Sequence, residues 1–229
     1  MAARIKQIHR FLIGQMTYPI LLSTLLSLAL YLGRVYLSGR WLIYGNLVWN
    51  LFLAWVPYIF SVGAAALQRL LPKAGVLLIA PGIIWLVFFP NAPYIVTDFL
   101  HLEPRPYVPV LYDILLLASF AWTGLFLAIA SLRTMQVLVK LYLGAFVSWL
   151  FVAVALGLSG LGIYLGRFER WNSWDLIFHL DTILKEIAKR MLNPLDNLRF
   201  IGFTVLFTAF MLVCYLTFIS VHKVEMLED

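Results

Sequence analysis

Residues 110–132 read VLYDILLLASFAWTGLFLAIASL, and this stretch decides the class of fold. Its one charged residue, Asp113, lies near its start, and almost everything that follows is apolar. A helix needs roughly 20 mostly apolar residues to cross a bilayer, whereas a barrel strand needs about 9–11. The length of the run therefore predicts a transmembrane helix, in which every backbone hydrogen bond is satisfied within the segment.

The composition of the whole chain agrees with that prediction. Of its 229 residues, 63% are hydrophobic and only 12% are charged, and the mean hydropathy is +0.92. Soluble domains are about 45–50% apolar and about 25% charged, so a soluble globular protein and a disordered chain are both excluded. A single cysteine, Cys214, excludes an internal disulfide framework and a zinc or iron–sulfur site built from several cysteines.

Five further apolar runs accompany the first, which gives six predicted spans. They cover residues 17–37, 41–67, 74–89, 137–165 and 200–221. Between residues 174 and 192 the apolar residues recur at intervals of three and four, and charges occupy the other positions, which predicts an amphipathic helix lying in the membrane interface. We expect an all-α polytopic membrane bundle of about six transmembrane helices plus this interfacial helix, forming a single domain over residues 1–229.

The distribution of basic residues favours one orientation of the bundle. Lys and Arg are frequent in the N-terminal tail and in the second and fourth connections, so we expect both termini on the cytoplasmic side. The net charge of +6 does not predict nucleic-acid binding, because the basic residues stand at span ends and not in a stripe with exposed aromatics. The lipid bilayer is the expected partner of these charges.

Several polar residues lie inside or beside the apolar runs, where charges and amides are costly and usually face the bundle interior. With six spans they fall on the same membrane face, which points outward in the expected orientation. The candidate acid/base residues are Asp98, His101, Asp113 and Asp175. The candidate substrate-binding residues are Asn50, Asn91, Arg167, Arg170 and Asn172.

The cluster supports more than one chemistry. Asp98 and His101 share a helical face, as do Asp175 and His179, so a divalent metal held by Asp98, His101, Asp113 and Asp175 is one hypothesis. In a second hypothesis no metal is needed: Arg167 and Arg170 hold an anion while Asp98 or His101 moves a proton. Each residue also has a structural interpretation, such as capping a helix or pairing with an arginine.

Four blocks of sequence resemble a known family. They are WNLFLAWVP at 49–57, FFPNAPYIVTD at 88–98, YD at 112–113 and GIYLGRFERWNSWD at 162–175. These blocks resemble the DUF1361 family, bacterial multi-pass membrane proteins of unknown function, and the resemblance extends over roughly residues 40–180. It implies a bacterial inner-membrane location. The family pattern includes the nine candidate residues above, but not His179.

These observations lead to one expected function and two alternatives. We expect a membrane-embedded enzyme acting on a lipid or lipid-linked substrate. The alternatives are a non-catalytic subunit or assembly factor of a membrane complex, with a protein partner or a second copy of the chain, and a transporter of small solutes or protons. The sequence contains no P-loop, no dinucleotide-binding glycine motif and no nucleophile elbow.

Overall fold

A computed structural model describes residues 2–73, 75–171 and 175–225, although the side chains of residues 2–3, 176–177 and 222–225 fall outside that description. In these residues the regular structure is helical, which confirms the all-α class. The α-helices are α1 (Ala2–Gly14), α2 (Thr17–Ser38), α3 (Gly45–Leu70), α4 (Ile79–Phe88), α5 (Asn91–Tyr94), α6 (Val110–Phe168), α7 (Asp175–Phe178), α8 (Leu180–Leu192) and α9 (Leu198–Glu225). Short 3₁₀ segments occupy Gly75–Leu78, Ile95–His101 and Leu195–Asn197.

Within the described residues, five helical segments are long and apolar enough to cross a membrane. They are Thr17–Ser38, Gly45–Leu70, Gly75–His101, Val110–Phe168 and Leu195–Val221. Most of their surface carries the large exposed apolar side chains that a bilayer would cover. The structure is therefore that of a helical integral membrane protein. The expected orientation, with both termini inside, stays a prediction.

The fourth and fifth predicted spans both lie in α6. The predicted connection at residues 133–136 is wrong, because these residues are helical. The α6 helix has 59 residues, well beyond the roughly 20 that one crossing of a bilayer requires. The helical path is interrupted at Gly144, with φ 84° and ψ 174°. Glycine tolerates this conformation because it has no Cβ.

The interfacial helix predicted at 174–192 is also interrupted. The chain forms the short α7, then the longer amphipathic α8, and His179 between them has φ −132° and ψ 30°. Asp175 and His179 therefore do not share a face of one continuous helix. The His179 N–H donates to the Asp175 carbonyl at 2.7 Å.

An N-terminal helix was not predicted. The α1 helix covers the basic tail that precedes the first span, and Met16 joins it to α2 in a left-handed conformation with φ 59°. The joint is held in place by side chains: Tyr58 donates to the carbonyl of Gln15 at 3.0 Å, and the Thr17 and Tyr58 hydroxyls lie 2.8 Å apart. The direction of α1 is thus fixed by α3.

Two compact units follow one another along the chain, Met1–Met135 and Gln136–Asp229. In the first unit, α2 packs on α6 through small polar groups, and the Thr123 hydroxyl lies 2.6 Å from that of Ser23 and 3.1 Å from that of Ser27. Gly124 of α6 lies against the backbone carbonyl of Ala92 in α5, where any side chain would collide. The single domain expected over residues 1–229 stays a prediction.

The second unit packs α9 against the later part of α6. A Cβ on Gly160 would lie 2.8 Å from the carbonyl oxygen of Thr204, so this glycine allows the two helices to approach closely. A buried hydrogen bond of 2.6 Å joins the Tyr215 hydroxyl to the Gln136 amide oxygen. Aromatic rings from both helices, including Tyr164 and Phe200 with centroids 5.0 Å apart, fill the end of this unit.

Candidate functional site

Three helix ends and one 3₁₀ segment meet at one end of the first unit. The loop from Ser38 to Gly45 places the end of α2 beside the start of α3. The start of α6 joins them, because the Tyr112 hydroxyl donates to the Leu30 carbonyl of α2 at 2.8 Å. The segment Ile95–His101 completes this end of the unit. The polar residues of these elements are therefore brought together by tertiary contacts.

A buried ion pair joins Arg34 of α2 to Asp113 of α6. The Nε of Arg34 donates to Oδ1 of Asp113 at 2.6 Å, and Nη2 donates to Oδ2 at 3.1 Å. Both side chains are 1% exposed. Two parallel bonds between a guanidinium and a carboxylate are the strongest arrangement such a pair can form. Asp113 therefore has its charge neutralised by an arginine, which is the structural role that the sequence left open for it.

Tyr44 lies between two arginines. The Cζ atom of Arg34 is 4.8 Å from the centroid of the Tyr44 ring, and that of Arg105 is 5.1 Å from it. Guanidinium groups are attracted to the face of an aromatic ring at these distances. We call Arg34, Tyr44, Arg105 and Asp113 the Tyr44 cluster. Each of its two cations has an acidic partner, because Nη2 of Arg105 lies 3.6 Å from Oε2 of Glu103 and Arg34 is paired with Asp113.

Burial raises the pKa of the Tyr44 phenol above its ordinary value, and the negative charge of Asp113 acts in the same direction. The positive charges of Arg105 and Arg34 oppose this shift but do not reverse it. The phenol is therefore neutral at physiological pH and keeps its proton. Its hydroxyl donates to the backbone carbonyl of His101 at 3.3 Å, which ties the 3₁₀ segment to the cluster.

A second buried carboxylate, Asp98, lies in that 3₁₀ segment. It is 1% exposed, and its Oδ2 accepts a hydrogen bond of 2.8 Å from the amide of Asn50 in α3. The close approach of Gly124 to Ala92 seats α5 on α6 and so positions the segment that follows it. Asn50 and Asp98, which the sequence predicted to meet, are in direct contact.

The other predicted residues of the first unit have different surroundings. His101 ends the 3₁₀ segment with its side chain exposed, one turn after Asp98. Asn91 is half-buried at the start of α5, where its amide donates to the Phe88 carbonyl at 3.0 Å. Asn91 thus closes the turn between α4 and α5.

The remaining predicted residues belong to the second unit. Arg167 is half-buried in the last turn of α6, and Asp175 begins α7. Arg170 is exposed in a left-handed conformation with φ 61°, in the turn where the Trp171 N–H bonds the Leu165 carbonyl at 3.2 Å. Asn172 lies outside the described residues. The meeting of these residues with those of the first unit stays a prediction.

The metal hypothesis gains no support from the part of the chain that the structure describes. There, no group of three or more His, Cys, Asp and Glu side chains is close enough to hold a metal ion. Both carboxylate oxygens of Asp113 already accept hydrogen bonds from the Arg34 guanidinium.

Arg34, Tyr44 and Arg105 were missed as site residues, although one signal in the sequence points to Arg34. It lies inside the apolar run 17–37 and is the one charged residue there, just as Asp113 is in 110–132. An ion inside an apolar span usually finds a partner of opposite charge, so these two were natural candidates for pairing. Tyr44 carries no comparable signal, since an aromatic residue near the start of the predicted span 41–67 is ordinary, and Arg105 stands in a connection.

The chain matches the family described as "Protein of unknown function (DUF1361)" over residues 49–214. This match covers most of the chain and includes Asn50, Asp98 and Asp113. No curated protein and no solved structure matches it.

Proposed function

The chain belongs to the DUF1361 family of proteins of unknown function, and from this premise we propose that it is a membrane-embedded enzyme acting on an anionic lipid or lipid-linked substrate. The reaction class that fits the residues is proton transfer on a substrate whose phosphate or carboxylate is held by arginine. The proposal concerns the first unit, in which the Tyr44 cluster and Asp98 lie at the same end.

One observation carries the proposal. Within the described residues, the buried atoms Nη1 of Arg34 and Nε of Arg105 have no hydrogen-bond acceptor. A buried donor without an acceptor costs about 1–3 kcal/mol, and more when it belongs to a charged group. Both guanidinium groups contact the same tyrosine ring, so one anionic group with several oxygens could supply both acceptors.

Groups that can move a proton lie beside the anion site. The Tyr44 hydroxyl bonds the backbone carbonyl of His101, and Asp98 lies one turn earlier on the same 3₁₀ segment. Histidine and aspartate side chains are common general acids and bases in enzymes. In this proposal, Arg34 and Arg105 bind the anion, whereas Asp98 and His101 exchange the proton.

The proposal can be tested by reconstituting the full chain into vesicles of bacterial polar lipids and following every lipid species by mass spectrometry. We expect the wild-type protein to convert one anionic species with time. His101→Gln and Asp98→Asn should abolish conversion, whereas Arg105→Gln should raise the lipid concentration needed for half-maximal rate.

Arg40→Gln is the matched control. Arg40 lies in the loop before α3, and its guanidinium contacts the Tyr107 ring at 5.8 Å instead of Tyr44. It should convert lipid at the wild-type rate. The proposal fails if no lipid species changes, or if Arg40→Gln and Arg105→Gln have the same effect while both proteins remain folded.

A second candidate is a non-catalytic subunit of a membrane complex. The two-point ion pair of Arg34 and Asp113 favours it, because a charge neutralised in this way stabilises a fold and takes no part in proton exchange. This candidate predicts a stoichiometric protein partner, or a second copy of the chain, after purification in mild detergent. A monomeric, partner-free chain that converts lipid would exclude it.

A further inference from the structure

A basic cavity lies at the other end of the first unit, between α1 and the last turn of α3. It has a volume of about 460 Å³ and is lined by Lys6, Gln7, Arg10, Phe11 and Arg69. Three of these five side chains are cations, and none is acidic. The Arg69 guanidinium packs over the Phe11 ring at 4.4 Å from its centroid, which fixes one wall of the cavity.

Among the described residues, no ion pair neutralises the charge of this cavity. Lys6 and Arg10 are four residues apart on α1, so they lie on the same helical face and repel each other. The α1 sequence contains no acidic residue. In the part of the chain that the structure describes, the ion pairs include none of Lys6, Arg10 and Arg69. An anion from outside the chain would complete the site.

Apolar side chains identify the source of that anion. Ile5 and Ile8 of α1 are 58% and 52% exposed and lie on the side of the helix away from Lys6 and Arg10. A helix with an apolar face opposite a cationic one is typical of a segment lying in the membrane interface, with its cations at the level of the headgroups. The start of α2 and the end of α3, both long apolar spans, place the cavity at such a level.

We propose that this cavity binds the phosphate of an anionic phospholipid. Lys6, Arg10 and Arg69 contact the headgroup, and the acyl chains lie in the bilayer beside the apolar spans. A free phosphate ion offers the same oxygens to the three cations, but it has no acyl chains to hold it at the level of the interface. The Gln15–Tyr58 and Thr17–Tyr58 contacts hold α1 in the direction that forms the cavity, so the site exists before lipid binds.

The experiment is a native mass-spectrometry titration of the full chain in uncharged detergent with phosphatidylglycerol, phosphatidylcholine and inorganic phosphate as separate probes. We expect wild-type protein to bind phosphatidylglycerol more tightly than the other two. Each of Lys6→Gln, Arg10→Gln and Arg69→Gln should weaken that binding about fivefold, the value expected for one cation near a headgroup. Lys6→Arg combined with Arg10→Lys should retain it.

The matched control removes three exposed cations that do not line the cavity, by Arg4→Gln, Lys73→Gln and Lys140→Gln. This triple variant should bind phosphatidylglycerol like wild type. Three outcomes overturn the proposal: an equal loss in the control, which indicates diffuse surface charge; equal binding of the two lipids; or inorganic phosphate binding as tightly as phosphatidylglycerol, which indicates a free-ion site. Equal thermal unfolding temperatures ensure that each comparison concerns folded protein.

Discussion

The two ends of the first unit differ in how their basic side chains are buried and paired. At the end that contains the Tyr44 cluster, Arg34 is buried, paired with Asp113 and packed on an aromatic ring. At the α1 end, Lys6 and Arg10 are exposed and lie in a cavity with no acidic residue. The α2 helix, which spans about 33 Å at 1.5 Å per residue, runs from one end to the other.

This difference follows from the cost of moving a charge out of water. Burying a guanidinium is costly unless the fold supplies a counter-ion and most of its hydrogen bonds, so the contacts of Arg34 link α2, α6 and the residue before α3. An exposed cation costs little to leave unpaired, so Lys6 and Arg10 constrain the fold weakly and stay available for an external anion. Substitutions in the Tyr44 cluster should therefore change the stability of the protein. Substitutions at the α1 end should change the binding of an anion.

The largest expected effect is the loss of the buried pair. Asp113→Asn leaves the Arg34 charge buried without its counter-ion, and removing one partner of a buried pair costs about 3–5 kcal/mol. Unfolding by dodecyl sulfate in mixed micelles measures the change. The double variant Arg34→Met/Asp113→Leu removes both charges and should recover much of the loss. If Asp113→Asn unfolds like wild type, the pair does not hold α2 and α6 together.

The second effect concerns the contact between Asn50 and Asp98. Asn50→Leu removes the amide that donates to the Asp98 carboxylate, and hydrogen bonds to charged groups contribute about 1.5–3 kcal/mol. The same unfolding measurement applies, with Asn46→Leu as the control on the exposed side of α3. Equal stability of the two variants would contradict a structural role for the Asn50 amide.

The third effect depends on pH. Because burial raises the pKa of Tyr44 in the folded protein, the stability linked to its proton is fully present below the ordinary pKa of 10.0. That stability is lost as the pH rises through the folded-state pKa. Tyr44→Phe should lose about 0.5–1.5 kcal/mol at pH 8, the value of one hydrogen bond, and should show a shallower loss of stability above pH 10. If the stability of wild type and of Tyr44→Phe falls with pH in parallel, the raised pKa of Tyr44 is contradicted.

The smallest effect is expected at the α1 end. Lys6→Gln and Arg10→Gln should change the unfolding free energy by less than about 0.5 kcal/mol, because surface substitutions away from buried features rarely do more. Each substitution should slightly stabilise the protein, since Lys6 and Arg10 repel each other at a spacing of four residues. A loss comparable with that of Asp113→Asn would show that the two ends do not differ as described.

The pattern of apolar residues predicted the helical membrane class and most span boundaries, because the length of an apolar run is visible in the sequence itself. It failed where a boundary depended on neighbours. Residues 133–136 carry Arg133 and Thr134, which favour a connection, yet they are helical, and Thr134 donates to the side chain of Gln15 at 2.7 Å. The interruption falls instead at Gly144, which no charge or proline marks in the sequence.

The candidate site was predicted only in part, because the sequence shows which residues are unusual but not which residues they contact. Asn50 and Asp98 stood out because polar groups are costly in apolar surroundings, and they are in contact. Arg34 was missed as the partner of Asp113 because the pairing joins residues 79 positions apart. Tyr44 was missed because an aromatic residue near the end of an apolar run is common in membrane proteins, and only the structure brings two arginines against its ring.

The sequence by itself determined that this protein is a bundle of membrane helices, since hydrocarbon accepts a long apolar segment only when its backbone bonds are closed internally. It also determined the family. The tertiary structure alone decided which charges neutralise each other and which remain open to a ligand. Pairing depends on distances of a few ångströms between separate helices, and no local pattern of residues encodes such distances.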